Sequence, residues 1–169
     1  MRIVVLLVLF LSACTGLPKG IEPVADFELD RYLGKWFEIA RLDHRFERGL
    51  SNVTAEYSIR EPGLVNVVNR GYLSEKGEWK EAIGKAKFKD SDDIGHLLVS
   101  FFGPFYASYV IFELDDYQTA FVVGNSRDYL WLLSRTPEVS AATRALFMEK
   151  IVELGFDPSE LEWVVQATP

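Results

Sequence analysis

The chain has 169 residues, a formal net charge of −7 and one cysteine. An acidic chain with no lysine or arginine cluster is a poor nucleic-acid ligand, because that binding rests on neutralising phosphates. One thiol excludes an internal disulfide, and the lack of Cys/His clusters excludes the usual zinc sites.

Met1-Arg2 gives a positive start, Ile3 to Leu11 is uninterrupted apolar sequence, and Leu11-Ser12-Ala13 brings small residues up to Cys14. Such a start, a core of about 7–15 apolar residues and small residues at the cleavage site describe a secretory signal. The run is shorter than the ~20 apolar residues that cross a bilayer. Leu11-Ser12-Ala13-Cys14 resembles the lipobox of bacterial lipoproteins. The resemblance implies a signal peptide over 1–13 and a lipidated Cys14 as the first mature residue, carrying a diacylglyceryl thioether and an amide-linked acyl chain such as palmitate. Buried acyl chains contribute about 0.8 kcal/mol per CH₂, and two or more suffice for stable anchoring. In such lipoproteins Asp after the cysteine marks inner-membrane retention. Thr15 here implies the periplasmic face of the bacterial outer membrane. The alternative, an ordinary cleaved signal, would leave an unpaired thiol in a secreted protein.

Residues 14–26 contain Pro18, Gly20 and Pro23 and read as a lipidated tether, able to span about 40 Å when extended. The domain is expected over 27–169. Trp36 to Arg41 reads as a strand, and Val53, Ala55, Tyr57 and Ile59 alternate with polar residues. Glu61-Pro62-Gly63 turns into a strand over Leu64 to Tyr72, and Glu75-Lys76-Gly77 into another over Trp79 to Lys89. There Ala82, Gly84, Ala86 and Phe88 share one face. After Asp90-Ser91-Asp92-Asp93 come strands at Ile94–Phe101, Phe105–Leu114, Thr119–Asn125 and Tyr129–Ser134. Short strands at regular spacing indicate an antiparallel sandwich or barrel. Thr136-Pro137 is a good helix start. Ala141, Ala145, Met148 and Val152 mark its apolar face, widened by Leu146, Ile151 and Leu154, and Gly155 ends it. Leu161 to Val165 is a last strand.

Three pieces in this order resemble the lipocalins. Gly34-Lys35-Trp36 matches that family's Gly-x-Trp. Asp115-Asp116-Tyr117 matches its Thr-Asp-Tyr element except at the first position. Arg135 follows the eighth strand, where the family's arginine lies across the Gly-x-Trp tryptophan in a cation–π contact. Gly34, Trp36, Asp116, Tyr117 and Arg135 are therefore the structural signature. With the lipobox, and with the stretch from Trp36 to Leu50, the chain resembles the bacterial outer-membrane lipoprotein lipocalins. The resemblance implies a mainly β fold: an eight-stranded antiparallel up-and-down barrel, a C-terminal α-helix packed outside and a short ninth strand.

A barrel of this size holds one small ligand. Alternation anchored on an inward Trp36 turns Ala55, Tyr57, Val67, Asn69, Leu97, Val99, Phe101, Val110, Phe112, Val123 and Trp131 toward the interior. Each of these is also an ordinary core position; together they form an apolar lining suited to an acyl chain. The family resemblance implies fatty acids or lysophospholipids as ligands, in envelope lipid storage or transport. Arg45 and Arg48, in the loop after the first strand, are either solvated charges or donors to a headgroup. Glu38 is expected beside Trp36, as a salt-bridged structural carboxylate.

Rival readings are a haem or tetrapyrrole carrier, a lipid-acting enzyme on the same fold, and a purely structural envelope protein. Against catalysis, no serine lies in a Gly-x-Ser-x-Gly context. His44 and His96 are the only histidines; His44 is expected in a loop and His96 facing out of its strand. Neither cofactor nor metal is expected. Pairing of two barrels as a homodimer stays open.

Overall fold

Alternating side chains and tight polar turns wind the chain into an antiparallel meander. The computed structural model describes residues 15–167, so the signal run and Cys14 lie outside the described residues. The strands are β1 (Gly34–Leu42), β2 (Leu50–Glu61), β3 (Leu64–Leu73), β4 (Glu78–Phe88), β5 (His96–Ser100), β6 (Ala107–Asp115), β7 (Thr119–Val123), β8 (Leu130–Ser134) and β9 (Leu161–Trp163). Each strand from β2 to β7 pairs with the next, β8 pairs with β1, and β1 pairs with β2. This is the expected closed eight-stranded barrel. β9 lies along the upper part of β1, where β2 has diverged, and fills the seam. The two tight hairpin turns hold Gly63 at φ 79 and Gly77 at φ 63, a region that glycine enters without steric cost.

Connections alternate between two ends. The base carries the β2–β3 turn, the β4–β5 loop, the β6–β7 turn and the short helix α1 (Leu29–Tyr32). The other end carries the β1–β2, β3–β4, β5–β6 and β7–β8 loops. Two apolar clusters sit on opposite sides of the barrel wall. The inner one gathers Phe27, Tyr32, Trp36, Tyr57, Val67, Leu97, Ile111, Val122 and Leu133. The outer one packs Ile39, Ala40, Phe121, Leu130 and Leu132 beneath Phe147 and Ile151 of α2 (Ala141–Glu153).

The structure moves the helix start. Ser140, not Thr136, caps α2 by accepting from the Thr143 N–H, while the Thr136 hydroxyl donates to the Glu138 carbonyl at 2.7 Å. The contact stripe is also rotated, to Phe147, Met148, Ile151 and Leu154, leaving Leu146 and Val152 exposed. Gly155, at φ 80, follows the helix as expected.

The segment expected as a tether is, from Leu17 onward, fixed to the barrel. The Val24 N–H donates to Ile111 O at 2.9 Å, its carbonyl accepts from the Gly95 N–H at 2.8 Å, and the Phe27 N–H donates to Asp93 O at 2.8 Å. Ile21 is buried, Leu17 packs against the outer cluster, and Arg127 Nη2 donates to Lys19 O at 2.7 Å. Leu17, Ile21, Val24 and Phe27 recur every three or four positions, which gives the segment a strip to bury despite its proline and glycine.

Candidate ligand-binding site

The base of the barrel is packed solid. Tyr32 and Trp36 rings lie 4.7 Å apart, Phe27 and Tyr32 5.3 Å, and Tyr32 and Tyr57 5.4 Å. Trp36 Nε1 donates to Tyr32 O at 2.8 Å, and the Arg135 guanidinium lies 3.9 Å from the Trp36 ring centroid. That guanidinium also donates to Lys35 O at 3.0 Å, Arg31 O at 2.7 Å and Tyr117 O at 3.2 Å, tying three base segments together. Gly34, at φ 91, lets the chain enter β1 beneath it. Tyr117 packs against Phe27, and its hydroxyl accepts from the Glu28 N–H at 2.7 Å; Asp116 pairs with Arg31.

Above this plug a floor of three tyrosines crosses the barrel. The Tyr32 and Tyr109 hydroxyls are 2.7 Å apart, and Tyr57 donates to Tyr109 at 2.9 Å. Burial pushes all three phenols above their ordinary range, so they stay neutral hydrogen-bonding groups.

Ala55, Tyr57, Val67, Leu97, Val99, Phe101 and Trp131 all belong to the inner cluster. Asn69 shares their face, opposite Ala55 on β2 and Ala82 on β4. Accessibility divides them by height. Tyr57, Val67 and Leu97 are buried, whereas Ala55, Asn69, Val99, Phe101 and Trp131 are half-buried and Ala82 is exposed. An alanine facing inward yet reached by solvent marks an open cup in the upper half.

Val110, Phe112 and Val123 do not face this cup. They pack in the outer cluster with Phe147 and Ile151. The cause is register. Leu97 opposes Tyr109, which turns Tyr109 and Ile111 inward and leaves Val110 and Phe112 outside; the bulge between Ile111 and Glu113 then keeps Glu113 outside as well and returns Leu114 to the interior. On β7, Val122 opposes Trp131 and takes the inner position instead of Val123.

A charged group is buried inside the barrel on β1, level with Leu133 and Trp131 of β8. Arg41, fully buried, donates to Glu38 at 2.9 Å, to Glu162 at 2.7 Å and to Leu50 O at 3.1 Å. Glu38 is thus the ion-paired carboxylate expected. Burial, and then the charge on Glu47, push its carboxyl well above the ordinary range, with Arg41 acting in the opposite direction. Arg41 reaches the interior because β1 is irregular between Glu38 and Ala40: Ile39 and Ala40 both turn outward, which inverts the parity beyond them. Sequence alternation missed this. The available signal is an Arg–Glu pair three apart on a strand, which shares a face only if a bulge intervenes.

At the mouth, Trp131 Nε1 donates to Glu47 Oε2 at 3.1 Å, and the same oxygen lies 3.1 Å from His44 Nε2. The His44 ring is 5.5 Å from Trp131, with Tyr129 stacked 6.2 Å from that indole. Arg45 and Arg48 are exposed; Arg48 pairs with Asp43 at 2.8 Å, and Arg45 lies 5.0 Å over the Phe46 ring. His96 lies on the outer face as expected, but buried, with Nε2 2.9 Å from Ser108 Oγ. This serine–histidine pair is closed off from solvent and points away from the cup. No group of three or more potential metal ligands occurs among the described residues.

Residues 27–166 match the lipocalin-like domain family. The chain is a lipocalin. The outer membrane lipoprotein Blc of Vibrio cholerae is 58% identical to it over 158 residues, 92% of each chain. The protein of that name from Escherichia coli K12 is 49% identical over 150 residues, 88% of this chain and 85% of the relative. Among solved structures, the cockroach allergen Per a 4 superposes with a TM-score of 0.70 at 19% identity, covering 90% of this chain and 96% of that one. Insecticyanin from the tobacco hornworm Manduca sexta gives 0.69 at 20%, covering 88% and 86%. These two likenesses concern the fold. The lipocalin arginine–tryptophan contact is the Arg135–Trp36 pair, and Asp116 and Tyr117 keep the base closed although Asp115 stands where the family's threonine does.

Proposed function

We propose that this lipocalin carries single-chain lipids, fatty acids or lysophospholipids, with the tail in the upper cup and the headgroup at the mouth. The observation behind this reading is the height gradient inside the barrel: a packed base, a polar floor of three tyrosines, and solvent-reached Ala55, Ala82 and Phe101 above it. Ala55, Val99 and Phe101 line this region beside the Glu38–Arg41 pair, and apolar surfaces with few polar groups suit a hydrocarbon chain. The lipobox residues and the outer membrane lipoproteins among the relatives support an acylated Cys14 and a place on the outer membrane, and Thr15 after the cysteine supports its periplasmic face.

The test is native mass spectrometry of the chain from Thr15 onward, which keeps the N-terminal segment fixed to the barrel and every strand, purified without detergent. Bound fatty acid or lysophospholipid is the expected result, together with displacement of a fluorescent fatty acid by either ligand. An apo mass in every preparation and no displacement would refute the carrier. Incubation with lysophospholipid is expected to release no free fatty acid; turnover would make the protein an enzyme.

A further inference from the structure

We propose that the barrel docks mouth-first on a bilayer, with Phe46, Trp79, Phe102 and Phe105 seated among the lipid headgroups, so that the cup opens onto the membrane itself. The proposal rests on the reading of Cys14 as the lipid anchor, and three independent features of the fold carry it further.

The first is the rim. Phe46 is 57% exposed, Trp79 56%, Phe102 73% and Phe105 70%. They come from the β1–β2 loop, the top of the β3–β4 hairpin and the β5–β6 loop, three of the four connections at the open end. A polar mouth would serve a carrier that meets its ligand in water. Large aromatics held out in solvent are instead the side chains that settle at a membrane interface. Arg45, exposed and lying over Phe46, adds a cation at the same level for lipid phosphates.

The second is the contrast between the two ends. The base presents Asp90, Asp92 and Asp93 in the β4–β5 loop, Asp115 at the end of β6 and Asp116 in the β6–β7 turn, all exposed, whereas at the mouth the exposed Asp43, Glu75, Glu78 and Asp128 are balanced by Arg45, Arg48, Lys76, Lys80 and Arg127. An anionic bilayer repels that end, so charge and apolarity select the same orientation.

The third is the strap. A free tether would leave orientation undetermined, but here Arg127, in the β7–β8 loop, donates to Lys19 O at 2.7 Å and to Leu154 O at 2.8 Å. This fixes the N-terminal segment at the level of the mouth. Four residue steps separate buried Pro18 from Cys14, a reach of about 14 Å. An anchor on so short a lead holds the mouth, and not the base, against the bilayer.

The experiment uses the full-length chain in vesicles of phosphatidylethanolamine and phosphatidylglycerol. Acylation consumes the native thiol, so single nitroxide labels are placed at Phe105→Cys, Phe46→Cys and Asp92→Cys, and their depth is read from oxygen against a water-soluble nickel chelate. Labels at positions 105 and 46 are expected to be immersed and the label at 92 aqueous. The double variant Phe102→Ser with Phe105→Ser, which touches only exposed side chains, is expected to return the label at 46 to water. Aqueous labels at both ends, or an immersed label at 92, overturn the docking. Intact mass of the extracted protein reports the anchor separately. If Cys14 proves unacylated, the anchor reading falls; docking then stands only if the label at 105 is immersed when the Cys14→Ser chain is mixed with the same vesicles, and falls otherwise.

Discussion

Ala82 projects from β4 into the cup, opposite Asn69 and next but one to Ala55, and it is exposed. Its replacement by Trp places an indole where the upper part of a ligand tail would lie. The indole displaces about four methylenes, each worth ~0.8 kcal/mol on burial. Affinity for a long-chain fatty acid should therefore fall by about 3 kcal/mol, roughly 200-fold in Kd. The side chain it replaces loses no core contact, so stability should change by less than ~0.5 kcal/mol. Fluorescent fatty-acid titration reads the first quantity and urea unfolding the second. Ile83→Trp is the control: Ile83 faces outward opposite Val68 and is already exposed, so binding should be unchanged. If Ala82→Trp binds within about threefold of the parent, or Ile83→Trp weakens binding equally, the ligand does not occupy the cup.

Arg135→Met removes the cation over Trp36 and three hydrogen bonds to backbone carbonyls, and should cost about 2–3 kcal/mol in urea unfolding. Less than ~0.5 kcal/mol would mean that the base closes without it. Tyr109→Phe strips the shared partner from the buried Tyr32 and Tyr57 hydroxyls, so a loss of about 1–3 kcal/mol is expected by thermal or urea unfolding, and no change would dismiss the floor as a hydrogen-bonded unit. Burial, and then the charge on Lys89, hold His96 below the ordinary histidine pKa. The unfolded chain then takes up a proton that the folded chain refuses. The stability tied to His96 is complete above about pH 6.5 and declines as pH falls toward the folded pKa. Unfolding curves from pH 7.5 down to 5 should show a shallower decline for His96→Gln; parallel slopes would contradict this.

The barrel was legible because its cues are local. Glu61-Pro62-Gly63 and Glu75-Lys76-Gly77 carry their turn signal in the residues themselves, and β2 alternates because one face meets solvent. β6 and β7 offer no such contrast. Tyr109, Val110, Ile111 and Phe112 are apolar in succession because the interior covers one face and α2 the other. Only pairing with β5 and the bulge at Phe112 decide which residues look inward, and both are long-range facts. The inward Arg41 was hidden by the same device on β1. The helix start was misread because the Thr136 hydroxyl donates to Glu138 O, and Ser140, four residues on, accepts from the Thr143 N–H instead. The strap was concealed by Pro18, Gly20 and Pro23, which read as linker although Leu17, Ile21 and Val24 between them found an apolar strip to cover.

The most direct measurement is a crystal of the barrel grown with a fatty acid brominated at its tail. The account expects anomalous density just above the Tyr109 hydroxyl, with the chain rising past Ala55, Asn69 and Ala82 toward Trp131. Bromine found only on the outer surface, or a cup that excludes the ligand at saturating concentration, would contradict it.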